Sequence, residues 1–184
     1  MSESGYQRRS KRVVYENAWL RFEAHDIVHP TGLPGVHGVV VTPPASAVVL
    51  CDGDDVLLVR QARFAVDAIV LEVVKGGRAG DETALECAIR ESREEAGVTA
   101  KRWIALGSTY EIPSIVEHPV ALFLGLDLAP APLAPEEVER IDVVRMRLDD
   151  ALAACAGGRI DDAVTAIALL RAQHALRTQS DVSA

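Results

Sequence analysis

The sequence predicts an α+β domain, and three observations carry that expectation. Short runs of branched and aromatic residues, broken by Gly, Pro and Asp turns, fill residues 13–74. Helical spacing begins only after Gly80. Strands then return before two closing helical segments, so that strands and helices are grouped rather than strictly alternating.

Residues 1–12 are polar and basic (Arg8, Arg9, Lys11, Arg12) and read as a flexible tail. Within 13–29, partial alternation at Val13, Tyr15, Trp19, Arg21, Phe22 and Ala24 reads as strand. Pro30-Thr31-Gly32-Leu33-Pro34-Gly35 turns the chain and Val36–Thr42 returns, giving an N-terminal β-hairpin over 13–42 that Pro43-Pro44 ends. Ala47–Cys51 and Val56–Val59 flank the turn Asp52-Gly53-Asp54-Asp55, the strongest hairpin signal in the chain. Ile69–Val74 is a further short strand before Gly76-Gly77. Thr83 and Glu86 have the form of a capping box, in which each side chain takes the other residue's backbone N–H. Leu85, Ala88, Ile89, Ser92 and Ala96 follow at helical spacing and predict the apolar face, and Gly97 supplies the stop. Trp103–Thr109 and Val120–Leu126 read as strands, and Pro130, Pro132 and Pro135 as a stiff connector into the acids Glu136, Glu137 and Glu139. Asp142–Leu148 reads as strand, Asp149–Ala156 and Asp161–Leu176 as helices, and 178–184 as a C-terminal tail. The body, 43–177, contains no internal repeat.

The 184 residues suit one domain with a small appendage. Nineteen Lys+Arg against 27 Asp+Glu give a charge of −8, which argues against a duplex nucleic-acid partner, because such affinity rests on cations neutralising phosphates. No apolar run is long enough for a membrane span or a secretory core. Cys51, Cys87 and Cys155 lie far apart with no C-x-x-C pair, so a disulfide framework or thiolate zinc site is not expected. A cytoplasmic location follows as the expectation. His25 and His29 share a strand spacing but lack a third ligand, and Cys87 reads as a small packed thiol.

The chemistry-bearing segment is Gly76–Val98. Glu86, Arg90, Glu91, Glu94 and Glu95 stand on the polar side of the helix, with Glu91, Glu94 and Glu95 clustered on one part of its surface. Such spacing suits a hard divalent cation, which takes carboxylate oxygens together with substrate phosphate. Periodicity alone fits equally a solvated face with the i,i+4 pairs Glu86–Arg90 and Arg90–Glu94.

The longer spacing is more specific. Gly76, Glu82, Arg90, Glu91, Glu94, Glu95 and Gly97 occupy every fixed position of G-x5-E-x7-R-E-U-x-E-E-x-G-U, where U is apolar, and Val98 fills the last U. The segment resembles the signature of the Nudix hydrolases. Ser92 is the one departure, at the other U, and predicts a local packing loss. The resemblance implies an α/β/α sandwich around a mixed sheet and hydrolysis of a nucleoside diphosphate linked to a second moiety. It implies Mg²⁺ or Mn²⁺ held by Glu91, Glu94, Glu95 and the backbone carbonyl of Lys75. It also implies that Glu82 pairs with Arg90 to fix the loop against the helix.

Three further stretches resemble the ADP-ribose pyrophosphatase and ADP-compound hydrolase branch. They are Val59-Arg60-Gln61-Ala62-Arg63, Leu71-Glu72-Val73-Val74, and Pro113, fifteen residues past the end of the motif. The resemblance implies ADP-ribose, or another ADP-sugar, as a small nucleotide substrate cleaved to AMP and a sugar phosphate. Arg60, Arg63, Glu72 and Pro113 become candidate substrate residues, the arginines because a guanidinium matches phosphate oxygens in pairs. Each arginine fits a surface ion pair as well. The base that activates water falls on Glu117, with His118 the alternative. NADH, diadenosine polyphosphates and nucleoside triphosphates are alternative substrates, and a nucleotide-sensing module without turnover is the non-enzymatic reading. Related enzymes pair through their N-terminal strands, so a homodimer is expected, with Tyr15 and Trp19 as packing or subunit contacts.

Overall fold

A computed structural model describes residues 3–133 and 140–182. The expected connector residue Pro135 and the acids Glu136, Glu137 and Glu139 lie outside the described residues. In chain order the strands are β1 (Gln7–Glu16), β2 (Arg21–Val28), β3 (Pro34–Val41), β4 (Ala45–Asp52), β5 (Asp55–Arg63), β6 (Ala68–Glu72) and β7 (Val74–Gly77). Helix α1 (Ala84–Glu95) follows, then β8 (Val98–Tyr110), β9 (Val116–Glu117), β10 (Pro119–Pro130), β11 (Ile141–Arg147), α2 (Leu148–Ala156) and α3 (Ala163–Val182). None of these helices is long and apolar enough to cross a membrane.

The chain divides into two compact units, Met1–Pro44 with Tyr110–Pro119, and Ala45–Thr109 with Val120–Ala184. The first is a four-stranded sheet in the order β1-β2-β3-β9. Two expectations change here. Gln7–Arg12, expected as tail, are part of β1, whose residues are all exposed and which is held by backbone pairing to β2. It pairs on one side only, with β2, and is therefore an edge strand rather than a tail. Residues 13–29, expected as one strand, are cut by a turn at Asn17. The Asn17 side-chain oxygen accepts the N–H groups of both Trp19 and Leu20 at 2.9 Å, and its own N–H reaches Leu20 O. The expected β2–β3 hairpin is present, turning where Gly32 takes a positive φ.

The second unit is a mixed seven-stranded sheet along β11-β5-β4-β10-β8, with β6 paired to β5 and β7 to β4. β10 runs parallel to β4, and β5 antiparallel to it across the Asp-Gly turn. β4 is buried on both faces, so its alternation divides two cores. Ala47, Val49 and Cys51 pack with Ala151, Ala154, Val164, Ala168 and Leu169 of α2 and α3. Val48 and Leu50 pack with Leu57, Val59, Val74 and Ala88, the last from α1. Helices thus cover both faces of the sheet, the α/β/α sandwich expected. α3 runs on to Val182, well into the expected C-terminal tail.

Candidate functional site

The site begins with a well-made helix start. Thr83 caps α1, its hydroxyl accepting Glu86 N–H at 3.2 Å while Thr83 N–H donates to Glu86 Oε2 at 2.8 Å. Such a cap contributes about 1 kcal/mol and fixes where the helix starts, and therefore which side chains face which way. The buried residues of α1 are Cys87, Ala88, Glu91, Ser92 and Glu95. The expected apolar face is rotated accordingly: Leu85 is exposed, and two acids are buried instead. Ser92 is fully buried, and its hydroxyl donates to Ala88 O at 2.7 Å, so a polar group sits in this face without an orphaned donor.

Arg90 organises the loop and the carboxylates. Its Nε and Nη2 donate to Glu82 Oε1 and Oε2 at 2.9 and 3.0 Å, the paired geometry of guanidinium on carboxylate. Nη2 also reaches Gly77 O at 2.9 Å, while Nη1 reaches Glu91 Oε1 at 2.7 Å and Glu94 Oε2 at 2.8 Å. Glu82 is held in turn by Ala79 N–H, and its carbonyl accepts from Arg78. The Arg90 hydrogen bonds keep the Glu82 carboxyl below its usual range despite some burial, and Glu82 chiefly drives the Arg90 guanidinium higher still. The Glu82–Arg90 pairing implied by the sequence is present.

Glu91 and Glu95 are buried, and each meets backbone that only this sequence provides. The Glu91 carboxylate rests against Gly76, where a Cβ would overlap it. Glu95 Oε2 accepts Lys75 N–H at 3.2 Å. These carboxylates and that of Glu94, with the Lys75 carbonyl, would make an all-oxygen donor set, the kind a hard divalent cation takes. The glycine leaves room for the Glu91 carboxylate. As the side chains stand, however, no three acid, imidazole or thiol groups among the described residues converge as a metal site. The cause is visible: Arg90 draws Glu91 and Glu94 onto its own guanidinium, while Glu95 turns to Lys75. The set fits in kind and in helix position.

Of the other sequence candidates, Arg63 and Glu72 meet each other. Arg63 Nε donates to Glu72 Oε1 at 2.7 Å, and Glu72 Oε2 lies 2.9 Å from Lys75 Nζ, so both oxygens of this buried carboxylate are engaged. Arg60 is exposed and, three residues from Arg63 on β5, faces the opposite side of the sheet. Pro113 and Glu117 belong to the first unit. There, with Arg8, His37, Tyr110 and Ser114, they line a cavity of about 290 Å³. His118 Nδ1 is engaged within that unit, 2.9 Å from Pro43 O and 2.6 Å from Thr42 Oγ1.

Sequence reasoning missed Asp162 and Thr165. Lys75 Nζ lies 2.7 Å from Asp162 Oδ1, and Asp162 Oδ2 takes Thr165 N–H and hydroxyl at 2.8 and 2.6 Å. Burial alone would lower the Lys75 pKa, but Asp162 and Glu72 outweigh it and raise it. Burial likewise opposes the charge on Asp162, and Lys75 with Thr165 outweighs it, leaving that carboxyl below its usual range. The D-x-x-T spacing before α3 signals a helix cap; nothing in it signals the lysine.

Residues 41–170 match the NUDIX domain family. The chain is 27% identical over 175 residues to an ADP-ribose pyrophosphatase of Bacillus subtilis (strain 168), covering 92% of this chain and 95% of the relative. It is 30% identical over 166 residues to a CMP-5'-(N-acetyl-N-hydroxy-3-aminopropyl)phosphonate hydrolase of Streptomyces rubellomurinus (strain ATCC 31215), covering 88% and 79%. Its fold is shared with a crystal structure of ADP compounds hydrolase, at a TM-score of 0.85 and 22% identity over 95% of both chains.

Proposed function

Since the chain belongs to the NUDIX family and is a Nudix pyrophosphohydrolase, we propose that its substrate is ADP-ribose or another ADP-sugar, hydrolysed to AMP and a sugar phosphate. The observation that carries the reading is the intact carboxylate helix, with Arg90 gripping Glu82, Glu91 and Glu94 and with Glu95 on Lys75 N–H. The similarity to the Bacillus subtilis enzyme supports the substrate class.

Glu91, Glu94, Glu95 and the Lys75 carbonyl would hold Mg²⁺ or Mn²⁺, which when bound neutralises diphosphate charge and lowers the pKa of an attacking water. Arg90 orients the carboxylates, Arg60 and Arg63 are the candidate phosphate partners, and Glu72 and Pro113 shape substrate binding. Glu117 is the base; His118 is the weaker choice, because its Nδ1 is already committed to Thr42 and Pro43. A homodimer formed through the first unit is part of this reading, supported by the exposed Val13, Val14, Tyr15 and Trp19. Three free cysteines favour a reducing cytoplasm.

The test is a substrate panel with purified protein and Mg²⁺ or Mn²⁺: ADP-ribose, other ADP-sugars, NADH, diadenosine polyphosphates, nucleoside triphosphates and CMP-linked phosphonates. AMP release fastest from ADP-ribose or an ADP-sugar is expected, with loss of turnover in Glu95→Gln. Preference for the CMP-linked compounds would favour the second reading, which the 30% identity to the Streptomyces enzyme motivates. Tight ADP-ribose binding without turnover under any metal would convert the protein to a sensor.

A further inference from the structure

We propose that Asp162 is a positioning residue for the carboxylate site, acting through Lys75 on the backbone that carries Glu95. The proposal rests on the reading of Glu91, Glu94, Glu95 and the Lys75 carbonyl as cation donors.

Four charged groups alternate in sign from Arg63 through Glu72 and Lys75 to Asp162, and all four lie in the second unit. Lys75 is the member that matters, because its ammonium and its backbone are engaged separately. Its ammonium is clamped between Glu72 Oε2 at 2.9 Å and Asp162 Oδ1 at 2.7 Å, its N–H holds Glu95 Oε2 at 3.2 Å, and its carbonyl is the backbone donor. A lysine left to solvent would place no constraint on its own backbone. This one is only 15% exposed and is held at both sides.

Asp162 can apply that constraint because it is itself fixed. Its second oxygen takes the N–H and hydroxyl of Thr165, in the first turn of α3. The same Thr165 oxygen accepts Val73 N–H at 3.0 Å. The start of α3 therefore grips the segment at two points, Val73 through Thr165 and Lys75 through Asp162. Between them Val74 is anchored in the core beneath α1. Glu95 and the Lys75 carbonyl inherit their positions from this grip.

A helix cap alone does not account for the arrangement. Capping needs an acceptor for Thr165 N–H, which Asn supplies as well as Asp. The charge on Asp162 meets that of Lys75, 87 residues away in the chain. Asp162→Asn therefore keeps the cap and removes the pairing.

The experiment titrates Mn²⁺ into full-length wild type, Asp162→Asn, Lys75→Gln and the double variant by electron paramagnetic resonance, alongside Tm, kcat and KM. Asp162→Asn is expected to keep its Tm within a few degrees, bind Mn²⁺ about 10-fold more weakly, and lose more in kcat than in KM. The double variant is expected to bind no more weakly than the worse single one, since both break one clamp. Mn²⁺ affinity within about twofold of wild type in Asp162→Asn, or additive losses in the double variant, would overturn the proposal. Asp162→Ser, which keeps a capping oxygen and removes the charge, gives the same decision if Asp162→Asn does not fold. Wild type that binds no Mn²⁺ would instead overturn the cation reading, and the proposal with it.

Discussion

Gly76→Ala isolates the contact between loop and helix that the site depends on. Gly76 is followed by a second glycine, and the two differ sharply in surroundings. A Cβ at Gly76 overlaps the Glu91 carboxylate, whereas a Cβ at Gly77 meets nothing within 4 Å. Neither residue has a positive φ, so alanine introduces no backbone strain at either. Ordinary carbon–oxygen packing requires the carboxylate to retreat by roughly 1 Å or more. The atoms that must move are the far end of a flexible side chain, so the fold yields cheaply. Losing the 2.7 Å hydrogen bond to Arg90 Nη1, partly replaced by water, costs about 1–2 kcal/mol, or a Tm lower by about 3–6 °C for a chain of this size. Function suffers far more, since misplacing a positioning group by about 1 Å can cost about 100-fold in rate. Calorimetry, Mn²⁺ titration and AMP release measure the three quantities. Gly76→Ala should be near-native in stability, weak in metal binding and nearly inactive, with Gly77→Ala within about threefold of wild type in all assays. Equal loss in both variants would show that loop flexibility, not the Glu91 contact, explains the glycines. Full activity in Gly76→Ala would refute the assigned role of Glu91.

Three further outcomes are expected. Arg90→Lys keeps the charge, but one ammonium cannot span Glu82, Gly77 O, Glu91 and Glu94, so denaturant unfolding should register a loss of about 1–3 kcal/mol and turnover should fall steeply; a variant with wild-type turnover would contradict the organising role. In the first unit, Lys11 chiefly, against burial and with help from His25 and Arg21, holds the Glu23 carboxyl down at about 2. Its folded pKa is depressed, so the stability it contributes is present above pH 4.5 and lost as pH falls towards about 2; urea unfolding of Glu23→Gln should show a flatter acid limb across that window. Gln61 is buried, and among the described residues its Nε2 has no hydrogen-bond partner. Gln61→Met, similar in shape, should raise stability by about 1 kcal/mol, visible as a Tm higher by about 2–4 °C, and an unchanged or lower Tm would count against the orphaned donor.

What was legible in the sequence was what local spacing can encode. The Thr83–Glu86 capping box and the Asp-Gly hairpin join residues close in the chain and are present as expected, as is the Glu82–Arg90 pairing that the resemblance implied. The Asn17 turn escaped, because Asn-Ala carries none of the Gly or Pro punctuation that marks the other turns, and the side chain makes the turn by itself. The first part of β1, Gln7–Arg12, escaped because its strand character lies in backbone pairing and its side chains are all exposed. The apolar stripe on α1 misjudged the buried face for a related reason. Hydrophobicity assigns every glutamate to water, yet Glu91 and Glu95 are buried, because the surface they meet is polar backbone at Gly76 and Lys75.

The same distinction explains why the carboxylate helix could be read and its support could not. A motif on one helix repeats the helix geometry, so spacing alone places Glu91, Glu94 and Glu95 together. Lys75 and Asp162 are joined only because β7 and the start of α3 meet in the folded sheet, and no periodicity relates two such positions. Arg60 and Arg63 make the converse point. The resemblance suggested both as phosphate ligands, but strand alternation turns them to opposite faces and Glu72 already holds one of them. Arg63 spends Nε and Nη2 on Glu72, and a diphosphate that drew both away would leave that carboxylate to Lys75 alone. Substrate contact at Arg63 and the Asp162 clamp therefore draw on one network, and a ligand that moves the first should be felt at the second.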